Sequence, residues 1–215
     1  MTKLSKAYSS VAVALAGLVA CSTPKPLATV ELRPLAPLSV QPIIVFPVQY
    51  LSFHDSLGWG KAVPKQGEYL AGLDDEIAYA LGERGLGAKW TFAPDITRIA
   101  RRNSTVVSDP RALSSEQLRA PLRVDEHLEE PLGSQIRSVL ALKEGRFVLL
   151  PIDVDFRGAG PGSGVAVLRI VMLDAKLANV KWVGEVRSDP ATMFSPALAA
   201  SLASRFADLI LPRPH

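Results

Sequence analysis

The sequence predicts a single domain of the α/β class (α+β), in which three or four helices pack on a mixed sheet that ends in an antiparallel meander. Three observations support this prediction. The 215-residue chain is 48% hydrophobic and 21% charged, which suits one folded core and excludes a wholly disordered chain. Apolar residues recur with helical spacing in some segments and with strand spacing in others. Near the carboxy terminus, three strand patterns follow one another with only short turns between them.

The first twenty residues have the layout of a secretory signal peptide. Lys3 and Lys6 precede an apolar run at residues 11–20, and Ala20 supplies a small residue at the expected cleavage point. The run is too short to span a bilayer, because a spanning helix needs about 20 apolar residues. Residues 1–20 are therefore predicted to be removed from the mature protein.

The only cysteine, Cys21, follows this apolar run directly. Residues 18–21 read Leu-Val-Ala-Cys and resemble the lipobox of bacterial lipoproteins. That resemblance implies that the thiol carries a diacylglycerol and that the freed amine is acylated, typically with palmitate; several acyl chains anchor stably where one is marginal. Ser22 stands where Asp would mark retention in the inner membrane, so the resemblance favours an outer-membrane anchor facing the periplasm. The alternative is an ordinary core cysteine or a free exported thiol.

Residues 21–42 are predicted to be a tether between the lipid and a globular domain at residues 43–212. Five prolines lie in this stretch: Pro24, Pro26, Pro34, Pro37 and Pro42. Proline at this density favours extended polyproline geometry, so that twenty such residues reach roughly 60 Å. The alternative is that part of the stretch, around residues 30–32, packs as an edge strand.

The first half of the domain is predicted to alternate strands with helices. Pro47 should interrupt a buried strand at residues 43–50, and a loop should follow. A helix is predicted from the spacing of four apolar residues: Leu70, Leu73, Ile77 and Leu81. A short strand at residues 89–92 and a short helix at 94–102 follow, and then a long polar loop with one helical turn near 114–118.

The second half is predicted to be a helix, a three-stranded meander and a final helix. Pro131 suits the first position of the helix, and Gly145 should end it. The meander strands are expected at residues 147–156, 165–173 and 180–186, with turns at 158–164 and 174–179 between them. The last helix should begin at Ser195 and Pro196 and bury one face: Leu198, Leu202, Phe206 and Leu209.

The meander residues resemble a known family. TolB amino-terminal and CsgG-like α/β domains have a strand after a helix that resembles residues 145–153. The pair of strands that follows in those domains resembles residues 167–175 and 180–186. The resemblance extends loosely over residues 43–211 and departs at Asn179, where the family often has Gly. It implies non-enzymatic work in the cell envelope: holding a partner, assembling a complex or activating an enzyme. Some relatives form secretion pores, which require hairpin strands of about 9 to 11 alternating residues.

No pattern in the sequence indicates a cofactor, a metal or a nucleic acid. The formal charge of +3 falls to +1 once Lys3 and Lys6 are removed, and no dense basic run is present. The three histidines, His54, His127 and His215, have no metal-ligand spacing. Residues 125–130 are acidic enough to gather a cation weakly, but such runs are usually solvated loops.

Two other features of the sequence bear on catalysis. Ser163 lies in a glycine-rich hairpin turn, which is the wrong context for a nucleophile or a phosphate cradle. Asp153 and Asp155 fall on one face of a strand and alternate with apolar residues, so they are expected on its solvent side. An envelope hydrolase acting on cell wall or polysaccharide would bring Asp153, Asp155 or His54 together in a deep cleft.

The favoured interpretation is a lipid-anchored, periplasm-facing protein that binds another envelope protein and is not an enzyme. Trp59, in a glycine-flanked loop, and Phe53 are the candidate partner contacts. The alternative for Trp59 is that its ring folds back over the core. The alternatives for the function are the envelope hydrolase and an oligomeric secretion component.

Overall fold

The computed structural model describes residues 33–53, 57–63 and 65–213, and for Phe53 it describes the backbone alone. Cys21, His54 and His215 lie outside the described residues. The strands are β1 (Ile43–Val45), β2 (Tyr50–Phe53), β3 (Phe147–Gly160), β4 (Ser163–Asp174) and β5 (Asn179–Arg187). The α-helices are α1 (Gln66–Gly82), α2 (Ala93–Arg102), α3 (Leu132–Leu140) and α4 (Ala197–Asp208).

The five strands form one mixed sheet. β3, β4 and β5 pair antiparallel in sequence order, which confirms the predicted meander. β1 and β2 both pair with β3 in the parallel sense, and together they line its other side. The domain is therefore a mixed α/β domain with four helices and a five-stranded sheet, as the sequence predicts.

Pro47 divides the predicted first strand into two. β1 ends at Val45 and β2 begins at Tyr50, and Pro47 lies in the gap between them. Proline has no backbone N–H to donate to a ladder. The chain nevertheless stays against β3, because the Phe46 N–H donates to the Leu149 carbonyl at 3.0 Å.

Both faces of the sheet are covered, by different helices. α1 and α4 pack on one face, and their core side chains include Leu73, Leu81, Leu202 and Phe206, all with 0% exposure. α2, α3 and the loop between them cover the other face, where Ile96, Leu118, Leu132 and Ile136 are equally buried. The helical spacing in the sequence identifies these faces correctly, because a surface helix buries every third or fourth residue.

The folded domain begins upstream of residue 43. Leu35 and Leu38 belong to the core, with 1% and 4% exposure, and residues Ala36–Val40 form a short 3-10 helix. The Leu35 N–H donates to the Leu209 carbonyl at 3.1 Å, which ties this segment to the end of α4. The prolines of this segment predict only an extended chain. They do not reveal that the two leucines between them are buried in the core.

Two other elements differ from the sequence prediction. Residues 89–92 form only an isolated parallel bridge, between Ile44 and Thr91, instead of a strand. The glycine-rich stretch at 158–164 is mostly strand, because β3 and β4 continue to Gly160 and from Ser163. The turn itself is only two residues long, and Gly162 within it has a left-handed φ of 68°.

Gly164 makes room for an aromatic side chain on the sheet. A Cβ at this position would lie 2.8 Å from Cη2 of Trp59 and would also collide with Leu57. We expect Gly164→Ala to lower the free energy of unfolding by about 1–3 kcal/mol, because the rigid indole must move off the sheet. Urea unfolding measures this loss, and Gly158→Ala is the control. Its unfolding free energy should be nearly that of the wild type, since no atom lies within 4 Å of a Cβ at Gly158. Equal stability of the two variants would contradict this account.

A charged groove beside an open sheet edge

The candidate site is a charged groove at one end of the second sheet face. The apolar cover of that face ends at a short 3-10 helix, residues Glu116–Arg119. Beyond it, the strand register sets Asp153, Arg169 and Glu185 side by side across β3, β4 and β5. The groove has a volume of about 400 Å³ and is lined by Ser52, Glu116, Arg119, Asp153, Asp155, Arg157, Arg169 and Glu185.

Arg119, Asp153 and Ser52 form the inner hydrogen-bonded group of the groove. The Arg119 guanidinium donates to Asp153 Oδ2 at 3.1 Å and to Ser52 Oγ at 2.8 Å. The Ser52 hydroxyl in turn donates to the same Asp153 oxygen at 2.8 Å. Arg119 also stacks over the Tyr50 ring, with 4.9 Å from Cζ to the ring centroid. Burial raises the pKa of the Tyr50 hydroxyl, so this ring remains neutral.

Arg157 joins two carboxylates at the outer part of the groove. Its Nε donates to Asp155 Oδ2 at 3.0 Å, and its Nη1 donates to Glu185 Oε2 at 3.1 Å. Because Arg157 is on β3 and Glu185 on β5, this contact spans β4 and links the groove to the last strand of the sheet.

Arg169 fastens the 3-10 helix to the sheet. Its Nε donates to the Leu118 carbonyl at 3.0 Å, and its Nη2 donates to the Ala120 carbonyl at 2.7 Å. This side chain on β4 therefore determines where the wall of the groove stands.

We expect Arg169→Leu to lower the free energy of unfolding by about 1–3 kcal/mol, because two charge-assisted hydrogen bonds are lost. Arg187→Leu on β5 is the matched control, since within the described part of the chain the Arg187 side chain has no hydrogen bond or ion pair. Chemical unfolding measures both variants. If Arg169→Leu lowered the free energy of unfolding no more than Arg187→Leu does, the hydrogen bonds from Arg169 to the 3-10 helix would not stabilise the fold.

The structure corrects the expected solvent exposure of the two aspartates. Asp155 is only 3% exposed, and the side chain of Asp153 is 17% exposed. Alternation along the strand correctly places both residues on the face away from α1 and α4, but it does not reveal that arginines and the 3-10 helix cover them. Asp153 Oδ1 is buried and has no hydrogen-bond partner among the described residues.

The groove brings Asp153 and Asp155 together, as the hydrolase alternative requires. Each carboxylate, however, is held by its own guanidinium, Arg119 for Asp153 and Arg157 for Asp155. His54, the third residue of that alternative, lies outside the described residues.

The groove borders an open sheet edge along β5. At the start of this edge the Asp125 N–H donates to the Val180 carbonyl at 2.7 Å, and the Val180 N–H donates to the Glu126 carbonyl at 2.9 Å. From residue 181 to 187, the described part of the chain offers no backbone partner on the side facing away from β4. Glu185 and Arg187 are exposed along this stretch. Such a row of free N–H and C=O groups can pair with another strand.

The aromatic residue singled out in the sequence lies in the core. Trp59 is 7% exposed and meets the Phe156 ring edge-on, with centroids 5.8 Å apart, so the fold-back alternative is the observed arrangement. Tyr69 and Phe194 extend the same aromatic cluster. Phe53 lies in β2, which pairs with β3 at Phe156. A partner contact through Trp59 or Phe53 stays a prediction, and for Trp59 it would require this loop to move.

Acidic side chains of residues 125–130 form separate ion pairs with different basic residues. Asp125 pairs with Lys181, and Glu130 pairs with Arg137. The described ranges contain no group of three or more His, Cys, Asp or Glu side chains arranged to hold a metal ion. Within the same ranges, no helix is both long enough and apolar enough to cross a membrane.

Sequence reasoning missed the arginines of the groove. Arg119 and Asp153 are separated by 34 residues, and Arg157 and Glu185 by 28. A weak signal was present, because Asp153, Asp155 and Arg157 repeat at every second position of one strand. The strand register that joins them to β5 is not visible in that spacing.

No protein-family model matches the chain, and no curated protein is significantly similar to it. A PelC dodecamer structure from Paraburkholderia phytofirmans is 12% identical, with 80% of this chain and 91% of that chain covered and a TM-score of 0.38. The LpoB C-terminal domain from Salmonella enterica is 14% identical, with 73% and 93% covered and a TM-score of 0.32. Lipoprotein GNA1162 from Neisseria meningitidis is 14% identical, with 67% and 77% covered and a TM-score of 0.32. Similarity at this level establishes neither a family nor a function for this chain.

Proposed function

We propose that the protein is a lipid-anchored component of the bacterial envelope that binds another envelope protein and catalyses no reaction. In this proposal residues 1–20 are removed, Cys21 carries the lipid in the outer membrane, and the domain faces the periplasm. The observation that carries the binding role is the open edge of β5 next to the charged groove.

An extended segment of the partner is the occupant that fits this edge. Strand addition supplies main-chain hydrogen bonds along the edge, while side chains of the added strand enter neighbouring pockets and give specificity. Here the neighbouring pocket is the groove, because Glu185 belongs both to β5 and to the groove lining. The segment from residue 181 to 187 is long enough for several such bonds.

The charges of the groove indicate what the partner strand should carry. The lining has four carboxylates and three guanidinium groups, so one negative charge remains in excess. A partner strand with a basic side chain beside the groove therefore complements it, and charged residues along the edge discourage pairing with unrelated strands.

Site-specific photocrosslinking in intact cells tests this function. A photoreactive amino acid is placed at Glu185 or at Arg187 of the full chain, and the matched controls carry it at Lys143 or at Glu144, which are exposed in the turn before β3. We expect the two β5 positions to trap one protein of the envelope that the controls do not trap. The same adducts at all four positions, or none at β5, would refute the proposal. An adduct of twice the mass of the chain would assign the edge to a second copy instead, as in the oligomeric alternative.

The lipid anchor has a separate test. Cys21→Ala should move the protein from the membrane fraction to the soluble fraction of the cell, because the acyl chains have no other attachment point. Ser22→Ala is the control and should stay in the membrane fraction. Unchanged fractionation of Cys21→Ala would contradict the anchor and would leave the test of the β5 edge unaffected.

A further inference from the structure

Four arginines gather on one surface at the end of α2. Arg98, Arg101 and Arg102 are on the last turns of this helix, and Arg111 is in the loop that follows. All four line a hollow of about 540 Å³, and Arg101 and Arg111 also line an adjoining hollow of about 300 Å³. Both hollows share three lining residues: Thr97, Arg101 and Arg111.

These arginines differ in how they are already engaged. Arg98 pairs with Asp95 on its own helix, and Arg111 Nη1 lies 2.7 Å from the buried Oδ2 of Asp74. Arg101 and Arg102 are exposed, and within the described residues neither forms a hydrogen bond or an ion pair. The surface therefore presents two free guanidinium groups beside a third, Arg111, that contacts the buried Asp74 side chain.

The helix dipole explains only part of this arrangement. Cations are favoured in the last turn of a helix, which accounts for the sign of charge at Arg101 and Arg102. It does not account for Arg111, which comes from a different segment and lines both hollows with Arg101.

Acidic side chains pair with Arg98 and Arg111 but leave Arg101 and Arg102 without a partner among the described residues. The larger hollow has four arginines and one carboxylate, Asp75, in its lining. The smaller hollow has Asp109 beside the hydroxyl groups of Ser104 and Ser108. An anion that accepts several hydrogen bonds at once is therefore better matched to this surface than a single carboxylate is.

We propose that this surface binds a phosphate-bearing ligand, with the phosphate seated between Arg101 and Arg111. The planar guanidinium group matches phosphate oxygens in a bidentate manner, and Asp74 pre-orients one of the two. Ser104 and Ser108 add hydroxyl donors. The ligand class is the same whether the phosphate belongs to a lipid headgroup or to a soluble molecule.

Calorimetric titration of the full chain in a neutral maltoside detergent tests the proposal. The probes are inorganic pyrophosphate and short-chain phosphatidylglycerol. The variant is Arg101→Gln with Arg102→Gln, and the control is Arg123→Gln with Lys143→Gln, which removes the same charge from exposed positions elsewhere. We expect saturable binding that is about tenfold weaker in the variant, since one charge-assisted contact is worth at least that factor, and unchanged in the control.

The pattern of probes identifies the source of the phosphate. Binding of pyrophosphate alone assigns a soluble ligand, binding of phosphatidylglycerol alone assigns a lipid headgroup, and binding of both assigns the phosphate group itself. Failure of both probes to saturate, or equal loss in the variant and the control, would overturn the proposal. None of these outcomes depends on the β5 edge.

Discussion

The free energy of unfolding of the protein should fall by about 2 kcal/mol between pH 5 and pH 8, and Asp74→Asn should remove most of that fall. Asp74 lies on α1 and is 2% exposed. Its Oδ1 accepts the Val48 N–H at 2.8 Å, and its Oδ2 lies 2.7 Å from Arg111 Nη1. Burial raises the pKa of this carboxyl from 3.8 to about 7, although the Val48 N–H and Arg111 act against the rise.

The sign follows from the proton that Asp74 keeps in the folded protein. Above pH 3.8 the unfolded carboxyl releases its proton, whereas the folded one retains it until about pH 7. The stability that Asp74 contributes is therefore fully present below its unfolded pKa and is lost as the pH rises through its folded pKa. The slope can reach about 1.4 kcal/mol per pH unit, since one proton is involved.

Other carboxyl groups act in the opposite direction and at lower pH. Hydrogen bonds from Ser134 and Arg137 lower the pKa of Glu130 to about 2, and Arg205 lowers the pKa of Asp189. Their stabilising effect is present above their unfolded pKa values and is lost as the pH falls through the folded ones. The decrease in the free energy of unfolding between pH 5 and pH 8 is therefore due to Asp74.

Urea unfolding of the full chain at four pH values from 5 to 8 provides the measurement. Glu83→Gln is the control, because this carboxyl lies just beyond the end of α1 and is exposed. The wild type and the control should lose stability as the pH rises, whereas Asp74→Asn should remain nearly level. If the free energy of unfolding of the wild type did not change with pH, the effect of Arg111 and the Val48 N–H on the pKa of Asp74 would outweigh that of burial.

Asp174→Ala should lower the free energy of unfolding by about 2–3 kcal/mol, because several hydrogen bonds to one charged group are lost together. The Asp174 side chain has 0% exposure and accepts the N–H groups of Lys176 and Leu177 at 3.0 and 3.2 Å. It also accepts Arg146 Nε at 2.9 Å. These bonds shape the turn that leads β4 into β5, so the change should also loosen the open edge.

Two further variants separate the contributions of Asp174. Asp174→Asn keeps an acceptor for the turn N–H groups and loses the ion pair with Arg146, so its loss should be smaller than that of Asp174→Ala. Glu68→Ala removes an exposed carboxylate paired with Lys65 and should cost well under 1 kcal/mol. Chemical unfolding of the three variants gives this order. An equal loss for Asp174→Ala and Glu68→Ala would contradict the account of the turn.

The sequence predicts the parts of this fold that depend on local spacing. The faces of α1 and α4 follow from apolar residues three and four positions apart, and the meander follows from alternation and turn residues. Pairing between strands that are far apart in the sequence cannot be predicted from local spacing. β1 and β2 lie about a hundred residues from β3, so their parallel pairing and the division at Pro47 depend on tertiary structure.

The site was less predictable because its charges come from distant segments. Alternation places Asp153 and Asp155 on the correct strand face, but their burial depends on Arg119 and Arg157. Trp59 looked exposed because glycines flank it in the sequence. Its ring lies in the core because Gly164, on a strand far along the chain, leaves the space that it occupies.

Hydrogen–deuterium exchange of β5 tests the central claim most directly. The full chain is compared alone and in complex with the protein trapped at Glu185, and exchange is followed at the backbone amides of residues 181–187 and of the control turn 141–146. The open-edge account predicts that the partner slows exchange at 181–187 and leaves the control turn unchanged. Protection at the control turn, or anywhere else, with no change at 181–187 would contradict it.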